Sequence, residues 1–539
     1  MNRKLLPAIL APGAFRPSIA DVIFLTLFFY ICLFVGQGLL IDADTGHHIR
    51  AGEHILQTHE VPREDIFSFI TPPMRWTDHG WLSQVIMALI HKESSLTGIV
   101  IFFAALISAV YSLLFRFLRA QTDHVILAAA VTGLVVGVSQ LHWLARPHIF
   151  SHLMVVAWYY LLDSYQRDVR RSLWILPALM ILWVNLHGGF IVGFIFLAIY
   201  LAENLVPAFA AKDEARAQAR LKAKQIFWIS VASLAAATAN PSGWRILLFP
   251  FSVVSNQFMM DHIREYISPN FHSIEIFAFK FLLLILLALF ASSGKKSRVV
   301  DILLVVFFAN MALYSARHIP LFAFVAAPIL VRHAEFMMSA HAAGPAGDLR
   351  RKIAELAASD RATLGTIWPA IGILTVVLFA AEGKLHYAFD PNLKPVAAVE
   401  FLKREPIPGN MFNDDEFGDY IIYAAWPQYK VFFDGRSDMY GAEMLKEYYK
   451  IKGFERDWGD VANKYKIGWI IDDSNSLLSR YLLKDQAWRR IYADTVASIY
   501  VKNSEDYRHL TDKYSDAGHG WPSVERDMDA HRSTVKPVD

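Results

Sequence analysis

Apolar runs of about twenty residues, recurring from residue 20 to about residue 380, constrain this chain more than any other feature. A helix needs about 20 apolar residues to cross the hydrocarbon core of a bilayer. Runs of that order centre near residues 30, 107, 132, 156, 180, 198, 234, 284, 307, 325 and 373. They predict an α-helical polytopic membrane protein with about eleven transmembrane helices. Only 19% of the residues are charged, against about 25% in a soluble protein. The deficit is confined to residues 20–380, and charge becomes dense after 383. A small soluble domain is therefore expected at the C-terminal end. The first run, Ala20 to Leu40, lacks a small-residue cleavage site and reads as a retained helix rather than a secretory signal. The one cysteine, Cys32, falls inside it, which excludes an intrachain disulfide and predicts a lipid-facing or packed thiol. A net charge of +2 with no basic stripe argues against nucleic acid as a partner.

The polar segments between the runs alternate in character. One set is basic: Arg116 and Arg119; Arg167, Arg170 and Arg171; Lys212, Arg216, Arg220, Lys222 and Lys224; Lys295, Lys296 and Arg298; Arg332, Arg350, Arg351 and Lys352. Together with Arg3, Lys4 and Arg16 these segments are cytoplasmic by the positive-inside rule. Eleven crossings from an inside N-terminus put the C-terminus outside. The predicted organisation is a cytoplasmic N-terminus over 1–19, a transmembrane domain over 20–382 with a first outer loop at 41–95, an α/β domain over 383–502, and a charged tail over 503–539. Within the outer loop, Thr45 to Gln57 and Trp81 to Ile90 read as amphipathic helices lying in the interface plane. Within the α/β domain, helices are expected at Val396–Lys403 and Glu443–Tyr465. Strands are expected at Asn410–Asn413, Lys430–Phe433, Trp469–Asp472 and Ser498–Val501.

The sharpest motif follows the first run directly: Asp42-Ala-Asp44-Thr-Gly-His47-His48. Paired carboxylates with nearby imidazoles can hold a divalent cation, for which Asp42, Asp44 and His48 are the candidate ligands. Alternatively, one carboxylate can take a proton from a hydroxyl as general base. The plain structural alternative is that Asp44 caps the helix that follows. The segment Trp76-Thr-Asp78-His79-Gly-Trp81 adds another carboxylate and imidazole between two indoles.

Cations and imidazoles also recur at the other outer segments: Arg146 and His148, His187, Arg245, His262 and Arg264, and Arg317 with His318. Singly, each of these arginines can snorkel to headgroups. Together they suit an anionic ligand such as a lipid phosphate, which a guanidinium grips through two oxygens. The soluble domain carries Phe433-Asp434-Gly435-Arg436-Ser-Asp438, where Asp434 and Arg436 either contact ligand or form a salt-bridged turn.

These motifs resemble the GT-C superfamily of membrane glycosyltransferases. The resemblance is strongest to its bacterial branch of dolichyl-phosphate-mannose-mannosyltransferase-like and rhizobial lipopolysaccharide-core glycosyltransferase-like proteins. It rests on Asp42 through Gly52, Val61 through Ser68, Trp76 through Trp81, Arg146-Pro-His148, Asn185 through Gly189, Asn240 through Arg245, Ser315 through Pro320 and Phe433 through Arg436. It implies transfer of a sugar, with inversion at the anomeric centre, from a polyprenyl-phosphate-linked donor to a glycan, lipid or protein acceptor of the cell envelope. It also implies an inner-membrane location with a periplasmic C-terminal domain. By the same resemblance, Asp44 or Asp42 is the base, Asp78 a second acid, and Arg146, His148, Arg245, Arg317 and His318 bind the donor phosphate. The candidate substrate contacts are His47, His48, His79, His187, Arg264, Asp434 and Arg436. A divalent cation, Mg2+ or Mn2+, is left open. Gly46-His47 stand where many members of the branch carry a bulky aromatic pair. The competing expectations are a transporter of an anionic lipid-linked glycan and a non-catalytic envelope-polysaccharide assembly protein.

Overall fold

The computed structural model describes residues 16–168, 171–210, 213–340 and 367–514, with 355, 357 and 360 between them. Arg3, Lys4, Arg170, Lys212, Arg350, Arg351, Lys352 and the tail beyond 514 lie outside the described residues. The chain divides into two compact units, Met1–Leu39 with His79–Tyr387, and Leu40–Asp78 with Ala388–Asp539.

The first unit is helical. Each of the eleven apolar centres falls in a helix, but only six helices among the described residues are long and apolar enough to cross a membrane. These are Ile19–Leu40, Trp81–Arg119, Val125–His142, Gly188–Phe209, Ile274–Ser292 and Ala316–Ser339. The runs near 180, 307 and 373 form the shorter apolar helices Ile175–Leu186, Val299–Tyr314 and Ile367–Ala381. The run near 156 forms His148–Arg167 and the run near 234 forms the last part of Asp213–Ala237. A capping box starts the first helix: Ser18 Oγ accepts the Asp21 amide, and the Asp21 carboxylate accepts the Ser18 amide at 2.9 Å.

Two features of this unit bear on the sequence reading. Trp81 to Ile90 lies in the first of two helices that make up Trp81–Arg119, and they are separated at Ser95, where φ is 55 and ψ −160. The second concerns basic residues assigned to cytoplasmic loops. Arg298 donates to Asp163 at 2.9 Å and to Asp301 at 2.7 Å, and Arg332 donates to Asp301 at 2.6 Å. Their charge is met inside the helical unit, where burying an unpaired cation would be costly.

The second unit is built from two distant stretches of chain. Its sheet has four strands, β1 (Asn410–Asn413), β2 (Ile467–Asp473), β3 (Trp488–Ala493) and β4 (Ala497–Lys502), in the order β1-β2-β4-β3. β1 and β2 are parallel and the other two pairs antiparallel. The expected strand at Lys430–Phe433 does not form. Val431 makes one isolated bridge to Ser68, and the Asn413 side chain takes the Phe432 amide at 2.8 Å in place of a ladder partner. The expected helix Glu443–Tyr465 is two helices, Ser437–Lys452 and Trp458–Lys464, because Phe454 adopts φ 53 just after Gly453.

Candidate functional site

The helix Asp44–Thr58 and the helix Asp415–Ala425 meet inside the second unit. Gly46 makes the approach possible: a Cβ there would stand 2.7 Å from Tyr423 Cβ and 2.8 Å from the Asp419 carbonyl oxygen. Arg50 then closes the contact by donating to the Tyr423 carbonyl at 2.7 Å. A glycine where the resembled branch carries an aromatic therefore has a packing reason here.

The helix starts after Ala43, and Asp42 Oδ1 just before it accepts the Asp44 amide at 2.9 Å. Asp44 itself, in the first turn, is buried and faces Asp419 and His47. A ligand atom from each of Asp44, His47 and Asp419 lies within 4.8 Å of the other two. His47 Nδ1 and Asp419 Oδ1 are 2.5 Å apart and share a proton, while Asp419 Oδ2 accepts the Gly435 amide at 2.9 Å. Burial, with Asp434 and Asp42 adding negative charge, holds the Asp419 carboxyl well above the usual carboxylate range. Two buried carboxyl groups and an imidazole thus crowd into one place, and that crowding favours the protonated form of Asp419.

Gly435 separates the two carboxylates. A Cβ on it would collide with Asp44 Oδ1 and stand 2.9 Å from Asp419 Oδ2. The space into which both acids turn is just that vacated by a side chain. Replacing Gly435 with Ala is expected to cost about 1–3 kcal/mol through overpacking and to force the two carboxylates apart. Thermal unfolding with a parallel activity measurement checks this, since the expected loss of activity exceeds the loss of folded protein.

Beside the cluster, Arg436 forms a buried turn. Its Nε and Nη2 donate to the two Asp434 oxygens at 2.8 and 2.7 Å, and Nη2 also donates to Asp65 Oδ1 at 2.8 Å. The guanidinium lies over Trp76 at 4.6 Å and Phe67 at 4.9 Å. Tyr440 adds a hydrogen bond to Asp434 at 2.7 Å. Burial pushes the Asp434 carboxyl up, but the Arg436 charge outweighs it and leaves the group below its ordinary range. Trp76 is thereby buried under Arg436. Asp78 is buried, and His48 is half-buried with its ring 4.1 Å from that of His47.

In the helical unit a second polar cluster gathers four of the residues assigned to phosphate. Arg146 donates to Glu265 Oε1 at 2.6 Å, and the Glu265 carbonyl accepts the Arg317 amide at 3.2 Å. Burial raises the Glu265 carboxyl, but Arg146 and Arg317, with His142 and His148, bring it well below its usual range. His148 Nε2 lies 2.9 Å from the His142 carbonyl oxygen, and His318 follows Arg317 directly. His187 Nδ1 accepts the Gly189 amide at 3.0 Å and lies 2.8 Å from Ser151 Oγ. His79 stacks on Phe249 with ring centres 4.4 Å apart. Arg245 and Arg264 stand exposed outside this network. Asp419, Asp65 and Glu265 went unseen in the sequence reading, since each is an ordinary acid in its local stretch.

The fold is similar to that of two crystal structures of the Archaeoglobus fulgidus oligosaccharyltransferase. The apo form matches with a TM-score of 0.54 at 12% identity, covering 96% of this chain and 80% of that one. The form tethered by a disulfide bond to an acceptor peptide containing the NVT sequon matches with a TM-score of 0.52 at 13% identity, covering 90% and 74%. No family model and no curated protein matches the chain. At such identities the likeness is one of fold alone.

Proposed function

We propose that the chain is a glycosyltransferase that moves a sugar from a polyprenyl-phosphate-linked donor to an extracytoplasmic acceptor, with inversion at the anomeric carbon. The observation that carries this reading is the buried Asp44–His47–Asp419 cluster, placed beside the salt-bridged Arg436 turn rather than neutralised by it. The likeness of fold to the oligosaccharyltransferase supports it, and the GT-C superfamily and its narrower bacterial branch remain part of the proposal. The peptide-bound comparison structure supports a peptide as one acceptor class beside glycan and lipid. The unit containing the cluster is assigned to the periplasmic side of the inner membrane, with the N-terminus in the cytoplasm.

In this mechanism Asp44 takes the proton of the acceptor hydroxyl as that oxygen attacks the anomeric carbon. The bond to the phosphate oxygen breaks, and the phosphate leaves with the electron pair. Arg146, His148, Arg245, Arg317 and His318 are assigned to the phosphate, where neutralising charge that develops in the transition state is commonly the largest catalytic contribution. Asp42 holds the helix start that aims Asp44, and Asp78 is the second acid.

Two carboxylates, an imidazole and the opening left by Gly435 fit a hard divalent cation such as Mg2+ or Mn2+. Such an ion would polarise the acceptor oxygen and lower its pKa. The ligands assigned are Asp44, His47 and Asp419, so His47 and Asp419 replace the His48 and Asp42 of the sequence reading in this proposal. Titration of the purified protein with Mn2+, followed by the loss of the free-ion paramagnetic signal, is expected to show one tight site. Asp419→Asn should weaken it about 10–100-fold or more, taking the effect of outer-shell changes as the lower bound. Unchanged Mn2+ binding in that variant removes the ion from the proposal and leaves the Asp44 base to be judged separately. Mass spectrometry of envelope glycolipids and glycoproteins, with and without the chain, identifies the acceptor.

A further inference from the structure

The segment between the helices Asp213–Ala237 and Ile274–Ser292 reads from sequence as an outer loop, and the composition of its first part is unlike that of a loop in water. From Pro241 to Met260 it carries one charged residue, Arg245, where about a quarter would be charged in soluble sequence. It folds as two short helical stretches, Gly243–Leu248 and Phe249–Ser255, before a further turn at Gln257–His262. Ile246 points inward and is wholly buried, and Phe249 packs on His79. The opposite side presents Trp244, Leu248, Phe251 and Val254 at 62, 55, 64 and 63% exposure, spaced every three to four residues. A soluble surface rarely gathers that much contiguous large apolar area without a partner.

Large apolar side chains are exposed on the helices on either side as well. Phe227, Val231 and Leu234 are exposed on the preceding helix, and Ile274, Phe277, Leu284 and Leu287 on the following one. Ile274–Ser292 is apolar apart from Glu275 and Lys280 near its start and is mostly uncovered, as a helix in contact with lipid must be. The two exposed serines also fit an apolar setting. Ser252 Oγ donates to the Phe249 carbonyl at 2.7 Å, and Ser255 Oγ donates to the Ser252 carbonyl at 3.0 Å. Their hydroxyls are satisfied by the helix itself, which is what hydrocarbon demands.

We infer that residues 243–255 lie in the membrane boundary as an interfacial helix, with Trp244, Leu248, Phe251 and Val254 among acyl chains and Arg245 reaching the headgroups. The occupant of the face is bulk phospholipid. Side-chain burial in the boundary layer and a basic residue at headgroup depth are the standard supports of such a helix.

Site-directed spin labelling tests this on the full chain in bilayers of mixed zwitterionic and anionic phospholipid. Cys32 is buried and is first replaced by Ser. Labels at Leu248→Cys, Phe251→Cys and Val254→Cys should collide several-fold more with oxygen than with a water-soluble nickel chelate. They should match a label at Leu287→Cys and differ from one at the exposed Glu443→Cys. Collision rates like those at Glu443 overturn the inference, because the face is then in water. Low rates with both reagents overturn it equally, because protein then covers the face. If a cysteine variant fails to fold, quenching by brominated lipid reads the same face: the Trp244→Phe protein should lose a quenchable component that the parent shows, and an unchanged profile counts against lipid contact.

Discussion

On the proposed function, Asp44→Asn is expected to abolish most sugar transfer while leaving the chain folded. Asparagine keeps the size of the side chain, and the helix start stays in place because the Asp44 backbone amide, not its carboxylate, bonds to Asp42. What is lost is a proton acceptor, and removing a positioned general base costs about 10²–10⁴ in rate. Asp42→Asn should act far less, because asparagine still accepts the Asp44 amide, whereas Asp42→Ala should loosen the helix end by about 1 kcal/mol. The assay supplies membranes with lipid-linked sugars and follows new glycosidic bonds. Unchanged transfer by Asp44→Asn ends the enzymatic reading. Movement of intact lipid across the bilayer with no new glycosidic bond would instead identify a transporter.

Arg436→Met should unfold the second unit rather than merely slow it. Removing this guanidinium strands Asp434 and Asp65, both buried, without the charge that each contacts. Breaking a buried ion pair from one side typically costs about 3–5 kcal/mol, a large share of the stability of a domain this size. A thermal melt followed through the aromatic signal of the unit measures it.

The pH dependence separates the two acid groups. The Asp434 pKa is lowered on folding, so its contribution is present above the ordinary carboxylate range and is lost as pH falls through the lowered value. The Asp419 pKa is raised, so its contribution is present at low pH and is lost as pH climbs from the ordinary carboxylate range toward the raised value. The parent should therefore weaken in both directions. Arg436→Met should lose the stabilising contribution that Asp434 makes above the ordinary carboxylate range.

The sequence showed Asp44 because a pair of acids directly after an apolar run is rare and local. It could not show Asp419, which lies 372 residues from the His47 it touches. In its own stretch, Asp414-Asp-Glu-Phe-Gly-Asp419, that residue looks like one more acid near a helix start, where acids are commonplace. The bond between Arg436 and Asp65 spans 371 positions and was hidden for the same reason. The apolar centres located helices well because length and hydropathy are local properties. Their number as membrane crossings was less accessible, since several are short and close their polar groups through neighbours such as Asp163 and Asp301. β3 escaped notice because Arg489 and Arg490 interrupt the alternation that marks a strand.

The discontinuity of the second unit has a consequence for how the protein is made. Leu40–Asp78 leaves the ribosome early, and its companion Ala388–Asp539 is synthesised only after the whole of His79–Tyr387. Until then His47 has no Asp419 and Asp65 has no Arg436. Assembly of this unit is therefore the closing act of biogenesis. A truncation near residue 388 leaves the early segment without the core it was shaped for, exposing polar and aromatic groups to quality control, however well the membrane helices have inserted.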